Sequence, residues 1–224
     1  MSTTPVLGAL PSAYEFRFDT GRICLDLLAT AHPAERLDSV LGLRAWCAQA
    51  GLVPRGTALL AADPGWLTAF RELREHTGRL ARAAVDGAAP VAGALDRVNS
   101  LARESPPAPR AVRGVDGSLV RALHAEPGCA ALLAVLARDA VDLLTDPLSR
   151  ARLRECAGDN CRLIYLDASR GRRRLWCSSE VCGNRERVAR HRRRTASLGR
   201  APYGDANGGD RPEGRSPAGR SRSW

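Results

Sequence analysis

Cys156, Cys161, Cys177 and Cys182 form two pairs with the same four-residue gap, and fifteen residues separate the pairs. Two short-range pairs on either side of a turn can bring four thiolates onto one tetrahedral cation, and four soft sulfur ligands favour Zn2+. Gly158, Asp159 and Asn160 supply a turn inside the first pair. The gap lies at the wide end of metal-knuckle spacing, and a disulfide framework is the alternative use of four such cysteines. Residues 1–13 carry no charged segment followed by a long apolar run, and PVLGALP is too short for a signal or a span. The expectation is therefore one structural Zn2+, held by all four cysteines, in a cytoplasmic protein with no membrane partner.

The charge gathers around the same cysteines. The formal net charge is +10, and all 34 basic residues are Arg. GC-rich coding would account for Arg in place of Lys, but not for its clustering. Residues 1–149 hold 15 Arg against 16 acids, whereas residues 150–200 hold 15 Arg against 5 acids. A concentrated basic face beside a metal site is the electrostatic footprint of a nucleic-acid binder, because guanidinium groups pair with phosphates and with guanine edges. The candidate contacts are Arg172, Arg173 and Arg174 before the third cysteine, then Asn184, Arg185, Arg187, Arg190, Arg192, Arg193 and Arg194 after the fourth. Like charges at three- and four-residue spacing destabilise an isolated helix unless a polyanion offsets them. The plain alternative is a solvated basic face. A membrane surface would need apolar anchors, and this stretch has only Val188, Ala189 and Leu198 as a thin stripe.

The run from about residue 150 to 194 resembles the bacterial CGNR zinc finger. The likeness rests on Cys182, Gly183, Asn184 and Arg185, on an Asp-x-Ser-x-x-x-x-Arg element (Asp167, Ser169, Arg174), and on Trp176-Cys177-Ser178. Glu186 departs from the pattern by placing an acid in the basic helix. A second likeness, carried by Phe18, Gly21, Ile23, Cys24, Leu25, Asp26, Leu27, Thr30, Trp46, Gly51 and Leu52, is to the start of the ABATE domain that commonly precedes such a finger. It implies a stress-response or sensing module in front of the finger. Ala29 stands where Asn is expected.

The elements that must position these residues follow from periodicity. Tyr14, Phe16 and Phe18 alternate with charged residues, as in a strand or extended segment, and Ile23 to Thr30 is an apolar run of either type. Asp38 or Ser39 caps a helix ending at Gly51. Asp63-Pro64 opens the clearest helix, with Trp66, Leu67, Phe70, Leu73, Thr77, Leu80, Ala81 and Ala84 on one stripe and Gly87 as its stop. Val91 to Leu101 is a further helix, Val112 to Val120 a hairpin about Asp116-Gly117, Pro127 to Thr145 a helix, and Asp146-Pro147 a short helical connector. In the finger, Leu163–Leu166 and Arg174–Trp176 are expected to pair as a hairpin, with Ser178 or Ser179 capping the basic helix and Cys182 in its first turn.

The fold class expected is mainly α with minor β: a helical N-terminal domain at 14–148, a small zinc-bound hairpin and helix at 150–198, and a disordered tail at 199–224 rich in Gly, Arg, Ser and Pro. No catalytic constellation stands out. His32, His76 and His124 are scattered, and Cys24, Cys47 and Cys129 lie singly in apolar patterns as small hydrophobes. The only strong metal site has four protein ligands and no open position, so no enzymatic role is expected. The expected function is zinc-dependent transcription regulation through double-stranded DNA, with the N-terminal domain sensing or oligomerising. RNA binding, protein interaction and a zinc-thiolate redox switch are the alternatives. A homodimer is expected by analogy with palindrome-reading regulators, and an effector is left unnamed.

Overall fold

The computed structural model describes residues 14–198; the leader reading of residues 1–13 and the disordered tail expected at 199–224 lie outside them. The described residues divide into two units, 14–187 and 188–198. Among the described residues there are seven α-helices and two antiparallel strand pairs, in accord with a mainly α fold with minor β.

The apolar run after Gly21 is helix α1 (Ile23–Ala29), buried from Cys24 onward. One polar group goes inside with it. Asp26 accepts hydrogen bonds from the Thr20 hydroxyl at 2.7 Å and the Thr20 amide at 3.2 Å, which offsets the cost of burying a carboxyl. Helix α2 (Val40–Gln49) starts at Ser39, whose hydroxyl accepts from the Gly42 amide.

Helix α3 (Pro64–Asp86) has the expected start and stop: the Asp63 side chain accepts from the Trp66 amide, and Gly87 takes a left-handed φ of 67°. Its stripe of Leu67, Phe70, Leu73, Thr77, Leu80 and Ala81 is buried, and each large apolar member contributes about 1.5–3 kcal/mol. Phe70 meets the fully buried Trp46 edge-on at 6.2 Å. Helices α4 (Ala92–Ala102) and α5 (Cys129–Thr145) complete the helical layer, with the hairpin of β1 (Pro109–Arg113) and β2 (Leu119–Leu123) between them in sequence. The short α6 (Pro147–Arg150) is capped by Asp146, which accepts from the Leu148 and Ser149 amides.

One expectation narrows and another changes. The Tyr14–Phe18 alternation forms no strand pairing; its rings pack instead, Tyr14 stacked on Phe16 at 5.9 Å and Phe18 tilted against Trp46 at 6.4 Å. In the finger, β4 (Ile164–Leu166) pairs backward with β3 (Leu153–Glu155), not forward with Arg174–Trp176. The physical reason is the turn: Gly158 to Arg162 reverses the chain tightly enough to close a ladder, whereas residues 167–173 are held in a side-chain-bonded loop.

Leu153, Leu163, Ile164, Tyr165 and the four cysteines belong to the same buried cluster as Leu25, Trp46, Phe70 and Leu136. The N-terminal segment is stitched to this region at Thr20, whose carbonyl accepts from the Leu166 amide at 2.8 Å. Gly21 follows with φ 92°, and a Cβ there would lie 3.1 Å from Leu166 Cβ. Glycine is therefore required twice, for the backbone angle and for the close approach.

Candidate metal centre

Cys156 follows β3 and Cys161 precedes β4, so the strand pair sets the two ends of the first knuckle. The Cys156 amide donates to the Leu163 carbonyl at 2.9 Å and the Cys161 amide to the Gly158 carbonyl at 3.0 Å. Arg162 then turns the chain with a left-handed φ of 48°, uncommon for a side-chain-bearing residue.

The second knuckle is placed by hydrogen bonds where a strand was expected. The Ala157 amide donates to the Leu175 carbonyl at 2.9 Å, and the Cys177 amide donates to Cys156 Sγ at 3.3 Å. Asp167 is fully buried and accepts from the Ser169 amide at 3.0 Å and the Arg174 amide at 3.2 Å. Hydrogen bonds from Ser169 and the Arg174 backbone hold its carboxyl below the ordinary range. The Arg174 guanidinium donates to the carbonyls of Trp176 and Cys177, and lies 4.8 Å from the Tyr165 ring centroid. The Asp-x-Ser-x-x-x-x-Arg element is thus the brace that fixes the third cysteine.

Ser178 caps the next turn by accepting from the Val181 amide at 3.2 Å. That turn, Ser179–Gly183, is π-helical and closes with the Gly183 amide on the Ser178 carbonyl at 2.9 Å. Such a widened turn is common at functional sites. Cys182 sits within it, and Gly183 lies under the Trp176 ring, where a Cβ would meet the ring at 3.5 Å. Helix α7 (Asn184–Leu198) begins at the next residue. Glu186, the departure from the family pattern, accepts from the Asp159 amide at 3.5 Å and so ties the first turn of α7 to the first knuckle.

All four cysteines are buried and unbridged, and their sulfurs lie within 4.8 Å of one another. Cys161 and Cys177, and Cys177 and Cys182, are 3.6 Å apart. Sulfurs about 2.3 Å from a tetrahedral ion stand about 3.8 Å apart, whereas a disulfide would bring two to about 2.05 Å. The donor set fits one Zn2+. Its charge would crosslink two knuckles and leave no ligand position open.

The sequence did not reveal one further contributor. The Arg17 guanidinium, 160 residues upstream, donates to Cys177 Sγ at 3.4 and 3.5 Å while pairing with Asp19 at 3.0 Å. Among the thiols alone, Cys177 is pushed down to about 5 by the hydrogen bond from Cys161 and then by Arg17. Burial pushes Cys182 up to about 11. Nothing in a lone Arg17 between aromatic residues signals this contact, which exists only because the chain ends of the core meet here.

The proposed nucleic-acid residues fall into two groups. Arg174 is turned inward as described. Arg172, Arg173, Asn184, Arg185, Arg187, Arg190, Arg192, Arg193 and Arg194 are exposed, with Arg187 also donating to the Ser179 carbonyl. Val188, expected in an apolar stripe, is 45% exposed, and the Leu198 side chain lies outside the described set. Cys24 and Cys47 are buried and Cys129 half-buried; burial raises all three, Cys47 to about 12 and Cys129 to about 11, so they are poor nucleophiles.

Residues 21–147 match the ABATE family, described as "Putative stress-induced transcription regulator", and residues 152–195 match the CGNR zinc finger. No curated protein matches the chain.

Proposed function

Since the chain belongs to the ABATE family and carries a CGNR zinc finger behind that domain, we propose that it is a non-enzymatic, zinc-dependent DNA-binding transcription regulator of the cytoplasm. The observation that carries the reading is α7: one acid against six arginines, exposed from Arg187 through Arg194 apart from half-buried Ala189. Such a helix gains most from a polyanion, and duplex phosphates supply one. Asn184 and Arg185 begin the helix immediately after the ligand turn, so the metal site and the start of the basic surface are one piece of backbone. Arg172 and Arg173 add exposed charge on the loop before Cys177. Arg174 is left out of the interface, because its guanidinium braces the third ligand. The ABATE domain is assigned the sensing role, with a homodimer as the working assembly.

The test is selection from random duplexes with the zinc-loaded chain, followed by a salt titration of the best site. Six phosphate contacts give a log-log slope of about −5, and replacing Arg192, Arg193 and Arg194 with Ala shrinks its magnitude by about 2.7. A wild-type chain that recovers no duplex, or prefers single-stranded RNA throughout, overturns the DNA assignment.

A further inference from the structure

A cavity of about 410 Å³ opens where the C-terminal end of α1, the Arg74–Arg82 part of α3 and residues 162–164 of the first metal knuckle meet. That volume lies within the range of small-molecule sites. Leu28, Leu163 and Ile164 give it an apolar floor, while four arginines, Arg74, Arg79, Arg82 and Arg162, outnumber Glu75, the one acid of its lining.

Two of the four are already committed. Arg74 donates to the Thr30 hydroxyl at 2.9 Å and pairs with Glu35, and Arg79 stands 3.9 Å from Glu75. Arg82 and Arg162 have no acid in ion-pair reach among the described residues. Two exposed guanidinium groups thus face one concave, partly apolar space from opposite elements. Walls of low polarizability focus the field of such charges into the space between them. His32 lines the same cavity; burial lowers its pKa, Cys177 raises it, and Arg82, Arg74 and Arg17 lower it.

Guanidinium forks recognise carboxylate and phosphate groups bidentately. We infer that this cavity is a binding site for a small organic anion, a carboxylate or phosphate ester with a compact apolar body, held between Arg82 of α3 and Arg162 of the metal knuckle. Arg162 directly follows ligand Cys161 and holds the left-handed turn there. A bound anion would therefore tie α3 to the backbone that carries the metal. This gives the sensing role of the ABATE domain a ligand class. It rests on that role for its biological consequence only, since binding is measurable with no DNA present.

The experiment titrates the full, zinc-loaded chain with inorganic phosphate, phenyl phosphate and succinate at constant ionic strength, by calorimetry, with choline as the cationic control. Arg162→Gly removes one cation at a backbone angle that suits glycine, so folding is retained, and Arg82→Gln removes the other on an exposed helix face. The expected result is saturable binding of at least one anion, weakened roughly tenfold or more by each substitution. It should be unchanged when Arg192, Arg193 and Arg194 are replaced by Ala. No saturation with any of the three anions overturns the site. So does affinity that survives both cavity substitutions, or that is lost with the α7 arginines instead. A chain that fails to bind duplex DNA yet passes this titration keeps the anion site and loses only the DNA assignment.

Discussion

Removing the Arg17 side chain should loosen zinc without touching any ligand. Its two terminal nitrogens stand 3.5 and 3.4 Å from Cys177 Sγ. A hydrogen bond to a charged group contributes about 1.5–3 kcal/mol, and each ~1.4 kcal/mol is a factor of ten in affinity. Both contacts are long and share the guanidinium with Asp19, so together they are worth about one such bond. The side chain is only 20% exposed, which limits screening by solvent. The resulting loss for Arg17→Ala is about 10- to 100-fold in zinc affinity, the range found for outer partners of metal ligands. Competition against a chromophoric zinc chelator near neutral pH measures it directly. Arg17→Lys keeps a point charge but loses the fork, and should fall between the two. An Arg17→Ala chain whose zinc affinity stays within roughly twofold of wild type would refute the idea that the N-terminal segment stabilises the thiolate.

Zinc removal should reach beyond the finger: because Leu153, Leu163, Ile164 and Tyr165 share the core of α3, a chelator or Cys161→Ser should lower the thermal midpoint of the helical signal in far-UV circular dichroism. A helical midpoint that ignores zinc counts against the shared core. Gly21→Ala should cost about 1–3 kcal/mol in denaturant unfolding, from the positive φ and the 3.1 Å approach to Leu166 together; a neutral effect would show that the segment yields. Burial raises Asp26 to about 6 from the ordinary 3.8. Between those values the folded chain keeps a proton that the unfolded chain has lost, so this group makes stability fall as pH rises through that window. Asp26→Asn keeps an acceptor for Thr20 and should remove that slope, read from urea midpoints across the same pH range.

The helices were legible because their signals are local. Ser39, Asp63 with Pro64, Gly87 and Asp146 fix starts and stops within a few residues of themselves. The ligand set was legible for the same reason, through repeated spacing. What pairs with what was not. Leu163–Leu166 has strand propensity in either direction, and the choice of β3 over Arg174–Trp176 depends on the knuckle turn and on the buried Asp167, both settled by hydrogen bonds that residue types alone do not specify. Arg174 reads as one more cation in an arginine run, yet its guanidinium braces Cys177 against Tyr165. Arg17 and the cavity arginines Arg82 and Arg162 lie too far apart in sequence for any pattern to join them.

The family boundary falls between residues 147 and 152, but the buried layer runs straight through it. Arg17 serves Cys177, Thr20 serves Leu166, and Gly21 leaves room for the same leucine. A recombination event that joined this finger to an unrelated helical partner would strip it of all three services at once. A substitution on one side of the seam should therefore change what is tolerated on the other.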